Sequence, residues 1–382
     1  MQTLYKENRS ALDEVSHQLV EAMRPEREAR GEITQSLIDE AVAVILGQAH
    51  TEHGGFGSAP KEGFGASQDA DVTPDDEGGY FTWTAAQFRE VLDDDVSCEL
   101  LTRFYLHPAG AMHHAPERHV LAETRSLEVI AGEIGLEYSD ALRLADRGRR
   151  RLLDSRRKRV TPLIDRGRYT SLNGLAAGSL IRAAAVLADK DLLAHALSSL
   201  EYIVAARFRS EGLFHSESVG ACAEDYVMPA DALIVAYEAT AQPRYLTQAC
   251  RLVEEFQRLF QDAADGGFFD TNDAVLGVRM KPMDDIPHPS VNSIAANVLM
   301  KLYRITDLQR YFSDAEQAIR CNAGRASRAG LHAGSWFGAL QARFHGWTFK
   351  ICDAPDGDLV RAMRAVWGPN ITIRYEAERS AQ

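Results

Sequence analysis

Apolar residues recur at i, i+3 and i+4 along most of this chain, the signature of amphipathic helices. Residues 11–23 (ALDEVSHQLVEAM) and 33–49 (ITQSLIDEAVAVILGQA) carry the pattern, and stretches around 84–105, 122–135 and 138–158 carry it again. Between them, 54–83 is rich in Gly and Asp and predicts a long irregular segment. The tail changes period. WTFKICDA (347–354) and NITIRYE (370–376) read as short strands on either side of a helix near 357–367, a small C-terminal α/β cap.

The middle of the chain repeats. Units begin at Asn173, Asp225 and Asn292, each a polar opener, an apolar helix, a short polar turn and a second, more amphipathic helix. They close on Gly212-Leu213-Phe214, Gly267-Phe268-Phe269 and Gly330-Leu331. Opener to closer is about 40 residues, a helical-hairpin period, and 33–49 running into Gly55-Phe56 reads as a further early copy. One hairpin cannot bury its apolar face alone, so the copies stack. The more apolar first helix belongs inside and the second outside. The predicted fold is therefore mainly α, an α/α toroid, with residues 1–50 a helical N-terminal segment, 51–345 the toroid and 346–382 the cap. In such a fold the inner-helix N-termini share one rim. Asn173, Asp225 and Asn292 would stand around a mouth of unpaired N–H groups and positive dipole ends, suited to a polyhydroxylated ligand.

Composition narrows the partners. Of the 382 residues, 45% are hydrophobic, enough for a substantial core. Lys plus Arg number 42 and Asp plus Glu 55, a net charge of −13, which argues against a nucleic-acid or anionic-membrane binder. No apolar run approaches a membrane span and the first residues have no apolar core, so the expectation is a cytoplasmic protein. Five scattered cysteines with no C-x-x-C predict neither a redox dithiol nor a zinc knuckle.

Several motifs resemble one family. Gly54-Gly55-Phe56-Gly57 with Ala59-Pro60-Lys61, Phe64 through Asp71, and Phe81-x-Trp83-Thr84 come first. Arg156-x-x-Arg159-x-x-Pro162-x-x-Asp165 and Ser171-x-Asn173-Gly174-Leu175 follow. Then come Asp225-Tyr226, Tyr237-Glu238-Ala239-Thr240, Gly266 through Thr271, Arg279-x-Lys281, Asp285 and Pro289-Ser290-x-Asn292-Ser293. In this order and nearly end to end they resemble the YyaL-type, spermatogenesis-associated family, whose members join a thioredoxin-like domain to a C-terminal toroid. The resemblance implies a six-hairpin, glycosidase-like toroid similar to N-acylglucosamine 2-epimerases. It carries over no catalytic role, because the family's reaction is not established. The chain also departs from the family. No thioredoxin-like segment is read here. Lys61 passes straight into the Asp69–Asp71 region where the family continues for about two hairpins. Leu172, Gly167 and Val291 replace its Trp, Lys and Gly. The toroid is thus expected to be incomplete, and its open edge predicts self-association or a protein partner that covers it.

The candidate catalytic carboxylates are Asp69, Asp71, Asp225 and Asp285. Asp69 and Asp71 lie two apart in a Gly-rich loop and can serve as an acid and a base, bind a sugar hydroxyl, hold a cation (though not in a complete calcium-loop spacing), or simply cap backbone N–H groups. Asp225 opens a helix, where Asp is a favoured cap. Asp285 with His288 precedes another and could form an acid/base pair; the alternative is a turn Asp and an exposed His. Asn173, Tyr226, His288, Ser290, Asn292 and Trp83 are the candidate substrate-binding residues. His107, His113, His114 and His119 lack helical ligand spacing and read as loop histidines, so no metal site and no cofactor are predicted. The basic run 147–159 could bind phosphate; the plainer reading is a helix face turned to solvent or paired with the acidic 69–95 stretch. A carbohydrate-related toroid protein that binds a small carbohydrate is the first functional reading. A non-catalytic binding or scaffold protein from a truncated relative of the thioredoxin-domain family is the second. Thiol redox chemistry fails for want of a paired cysteine.

Overall fold

The computed structural model describes residues 67–376 apart from 124, 166, 211, 275–276 and 366–369. The helices expected at 11–23 and 33–49, and the Gly54–Lys61 motif, lie outside the described residues. The described chain falls into two compact units, meeting in sequence at Gly167 and Arg168.

The first unit begins with β1 (Ser67–Gln68), paired antiparallel with β2 (Ile164–Asp165). Between these strands lie α1 (Ala85–Val91), α2 (Asp95–Tyr105), α3 (Leu127–Glu133) and α4 (Tyr138–Arg156). The single helix expected at 84–105 is two. Asp94 leaves helical geometry and accepts the Ser97 N–H at 2.6 Å, so the Asp93-Asp94-Asp95 run caps a new helix rather than continuing the old one. The basic run pairs as expected, Arg147 with Asp94 at 2.6 Å and Arg151 with Asp93. Arg159 has a structural task. One guanidinium nitrogen donates to the carbonyls of Gly79, Tyr80 and Thr82 at 2.7–3.0 Å, and its carbon sits 4.0 Å from the centre of the buried Trp83 ring.

The second unit holds the repeat. Its hairpins are α5 (Thr170–Leu187) with α6 (Lys190–Arg207), α7 (Ala223–Thr240) with α8 (Pro243–Phe260), and α9 (Val291–Thr306) with α10 (Gln309–Arg320). Each first helix ends on a residue in left-handed geometry, Ala188, Ala241 and Asp307, with φ of 53°, 58° and 60°. The same turn chemistry is thus used three times. α5, α7 and α9 pack side by side, and each is backed by its own second helix. Apart from Glu224, Asp231 and Thr240, α7 is buried around its whole circumference. α8 buries only the stripe of Tyr245, Ala249, Leu252, Val253, Phe256 and Phe260. This is the inner-and-outer division of an α/α toroid, and the mainly α fold class expected from the pattern is the one observed.

The closers, each a Gly followed by Phe or Leu, tie each hairpin shut. After each closer, one carbonyl accepts an N–H from the start of its own inner helix or the segment leading into it. The pairs are Thr170 to His215 (2.9 Å), Ala223 to Asp270 (3.0 Å) and Asp285 to His332 (2.6 Å). The first closer forms a short hairpin of β3 (Phe208–Arg209) and β4 (Gly212–Leu213). α11 (Ala323–Ala329) and α12 (Gly334–His345) follow the third hairpin. The tail is the predicted α/β element: β5 (Trp347–Ile351), α13 (Asp358–Ala365) and β6 (Ile371–Tyr375), with the strands parallel. It docks on the C-terminal end of α7, where the Ile373 N–H meets Glu238 (3.2 Å) and the Tyr375 N–H meets the Tyr237 hydroxyl (3.1 Å). The N-terminal end of α7 is left for the site.

Candidate functional site

At that end the N-termini of α5 and α7 lie together, so these inner helices run parallel. The joint is Asp225, which is fully buried. One carboxylate oxygen accepts the Ser171 N–H at 2.9 Å. The other accepts the N–H of Cys222 at 3.0 Å and its thiol at 3.2 Å. His215 Nδ1 stands 3.0 Å from both oxygens. Asp225 is not the N-cap expected from the sequence: Cys222 holds that position, and Asp225, three residues on, accepts the Cys222 N–H while also accepting the Ser171 N–H in the first turn of α5, so a single side chain closes the starts of two helices. The His215 ring stacks on Tyr169 with centroids 4.9 Å apart.

Glu224 is partly open. It accepts the Ser171 hydroxyl at 3.0 Å, and its other oxygen lies 3.4 Å from His288 Nε2. Its side chain is 22% exposed and that of His288 28%. His288 belongs to the segment leading into α9, so all three inner helices contribute to this rim. Farther along the same face of α7, Asp231 bonds Arg182 of α5 at 2.5 Å and Glu238 bonds Lys301 of α9 at 2.7 Å. Burial alone would push the Asp231 carboxyl up, but Arg182 and then Lys301 outweigh it and hold it below its usual range. Glu224, Asp231 and Glu238 recur every seventh residue, a polar stripe down an otherwise apolar helix.

Burial, with Asp225 and Glu224 adding to it, pushes the Cys222 thiol far above its ordinary value. Cys222 should therefore react with iodoacetamide at neutral pH more slowly than the exposed Cys352. Site-resolved mass spectrometry checks the order of labelling.

The other sequence candidates divide. Asn173 donates its amide to the Tyr169 carbonyl at 2.7 Å in the first turn of α5. Ser290 caps α9, and its N–H donates to Asp285 at 2.9 Å. The second oxygen of Asp285 accepts the Ser335 N–H at 2.7 Å, so this carboxylate pins the start of α9 to that of α12. Asn292 is buried and exchanges two 2.8 Å bonds with the Phe268 backbone. Tyr226 is buried, its ring tilted against Phe260 at 5.5 Å. Asp69, Asp71 and Trp83 lie in the other unit. There Asp69 accepts the Asp71 N–H at 3.2 Å, Asp71 accepts the Gly78 N–H at 2.8 Å, and Trp83 packs edge-on to Phe88. Ser171, His215, Cys222 and Glu224 were not among the sequence candidates. The available signal was the short run His215-x₆-Cys222-x-Glu224-Asp225.

No family model matches the chain. Among curated proteins it is similar to spermatogenesis-associated protein 20. The human protein is 28% identical over 284 residues, 64% of this chain and 36% of that one. The rat protein is 25% identical over 355 residues, 81% of this chain and 45% of that one. These relatives bear out the family resemblance read from the motifs, and the chain spans less than half the length of either. Among solved structures, a D-mannose isomerase aligns with a TM-score of 0.42 at 13% identity, covering 80% of this chain and 96% of that one. A glycoside hydrolase family 76 mannosidase of Bacteroides thetaiotaomicron aligns at 0.35 and 17% identity, covering 41% of this chain and 44% of that one. Cellobiose 2-epimerase of Bacillus thermoamylovorans aligns at 0.34 and 12%, covering 40% and 43%. Among the described residues no helix is long and apolar enough to cross a membrane.

Proposed function

We propose that the rim where α5, α7 and α9 begin binds a small carbohydrate and moves a proton on it, with Glu224 and His288 as the acid/base pair. The observation that carries the reading is the contrast between two adjacent carboxylates. Asp225 is fully buried and committed to two backbone N–H groups, a thiol and an imidazole. Glu224 is partly open and faces an imidazole. Hydrolysis of a glycoside usually needs two reacting carboxyls set about 5–9.5 Å apart across the bond, and Asp225, fully buried, does not face a ligand as the second. A single carboxylate beside a histidine suits proton transfer next to the carbonyl of an open-chain sugar, an epimerase- or isomerase-type step. The negative charge that grows on the sugar oxygen would be favoured by the positive ends of the inner helices.

The test is a thermal-shift and calorimetry series with D-mannose, cellobiose and α-1,6-mannotriose. Wild type is expected to bind at least one of them and so gain thermal stability. Glu224→Gln and His288→Gln keep size but lose the proton-transfer groups. They are expected to exchange solvent deuterium into the bound sugar at least about 100-fold more slowly. Failure of all three sugars to bind, or unchanged exchange in both variants, would reject the reading.

A further inference from the structure

We infer that His215, Cys222 and Asp225 form a three-ligand site for a divalent transition-metal ion of the zinc class, with Glu224 within reach of the fourth position. One ring nitrogen of His215, Cys222 Sγ and one carboxylate oxygen each from Glu224 and Asp225 lie within 4.8 Å of one another. From one and the same Asp225 oxygen, the imidazole Nδ1 and the thiol stand 3.0 and 3.2 Å away. A tetrahedron with bonds of about 2.0–2.3 Å has edges of about 3.3–3.7 Å, so small side-chain shifts admit the ion. A nitrogen, a sulfur and a carboxylate form a donor set that zinc accepts and that calcium or magnesium does not prefer.

Charge points the same way independently. Glu224 and Asp225 are adjacent, one partly and one fully buried. Among the described residues the groups within ion-pair distance of them are the imidazoles of His288 and His215, and no lysine or arginine pairs with either. Two carboxylates so placed leave a negative charge that a buried cation would offset. On binding, the thiol gives its proton to solvent and the sulfur bonds the ion. The neutral imidazole coordinates through Nδ1 and carries its proton on Nε2. The Asp225 oxygens keep the N–H groups of Ser171 and Cys222, which also orient the ligand. Three protein ligands and an accessible fourth position are the pattern of a working rather than a purely structural zinc site.

This inference does not depend on the sugar reading, and its test contains no sugar. The full chain, without a histidine tag and stripped by chelator, is titrated with cobalt(II) and then zinc(II). One equivalent of cobalt is expected to give a thiolate-to-metal charge-transfer band and the intense visible bands of a four-coordinate ion, both erased by zinc. Cys222→Ser retains a hydroxyl suited to the N-cap, so it should fold, as circular dichroism would verify. It should lack the charge-transfer band and bind cobalt at least about tenfold more weakly, as should His215→Asn. Absence of the band from the wild-type chain at saturating cobalt, or an equal band in Cys222→Ser, would overturn the assignment.

Discussion

Replacing Asp225 by Ala should cost about 3–5 kcal/mol of stability. The change strands the N–H groups of Ser171 and Cys222 in a buried site, where each unsatisfied group costs about 1–3 kcal/mol, and it unties the starts of two packed helices at once. Urea denaturation followed by far-ultraviolet circular dichroism would show the midpoint falling sharply. Asp69→Ala is the contrast. That carboxylate is exposed and holds one local N–H at 3.2 Å, so its loss should stay within about 0.5 kcal/mol. A shift below about 1 kcal/mol for Asp225→Ala would mean that the rim is not held as described.

Gly174→Ala should be destabilising by about 2–3 kcal/mol, although alanine is ordinarily the better helix former by about 1 kcal/mol. A Cβ at this position would stand 2.6 Å from the Pro229 nitrogen, 2.8 Å from its Cγ and 2.9 Å from its Cα. Backbone and a rigid ring cannot turn aside, so α5 would have to lift from α7. Pro229 in turn has no N–H to return to the Asp225 carbonyl, four residues earlier in α7. The control is Gly338→Ala in α12, where nothing lies within 4 Å of the added carbon. It should stabilise by about 0.5–1 kcal/mol. Thermal melts of the two variants should therefore move in opposite directions.

The three hairpins were legible because a 3.6-residue apolar period and a recurring closer of Gly followed by Phe or Leu survive in the sequence whatever the partners are. The C-terminal strands were legible because their apolar run is short and flanked by turn residues. The break between α1 and α2 was not, since it depends on which of three consecutive aspartates turns its side chain to a backbone N–H. At the rim, Asp225 was readable as a residue of a helix start, but that Cys222 takes the cap position while Asp225 reaches across to α5 comes from local geometry and from stacking one hairpin on the next. Glu224 was hidden for the same reason. Its neighbours Ser171 and His288 are 53 and 64 residues away in sequence. His215, Cys222 and Asp225 lie close in sequence, but they meet only because the closer folds His215 back over the start of α7. Conversely, Trp83, Tyr226 and Asn292 carry ring or amide groups that could serve a ligand, and all three are buried in packing or backbone clips that pattern alone does not distinguish.

The central claim is that function resides where the inner helices begin, and hydrogen–deuterium exchange of the intact chain with and without D-mannose, cellobiose or α-1,6-mannotriose tests it most directly. A bound sugar is predicted to slow exchange in peptides covering residues 169–173, 213–226 and 285–293, with the C-terminal ends of α5, α7 and α9 unchanged. Protection confined to other segments, or a sugar that binds while leaving those three stretches unaltered, would contradict it.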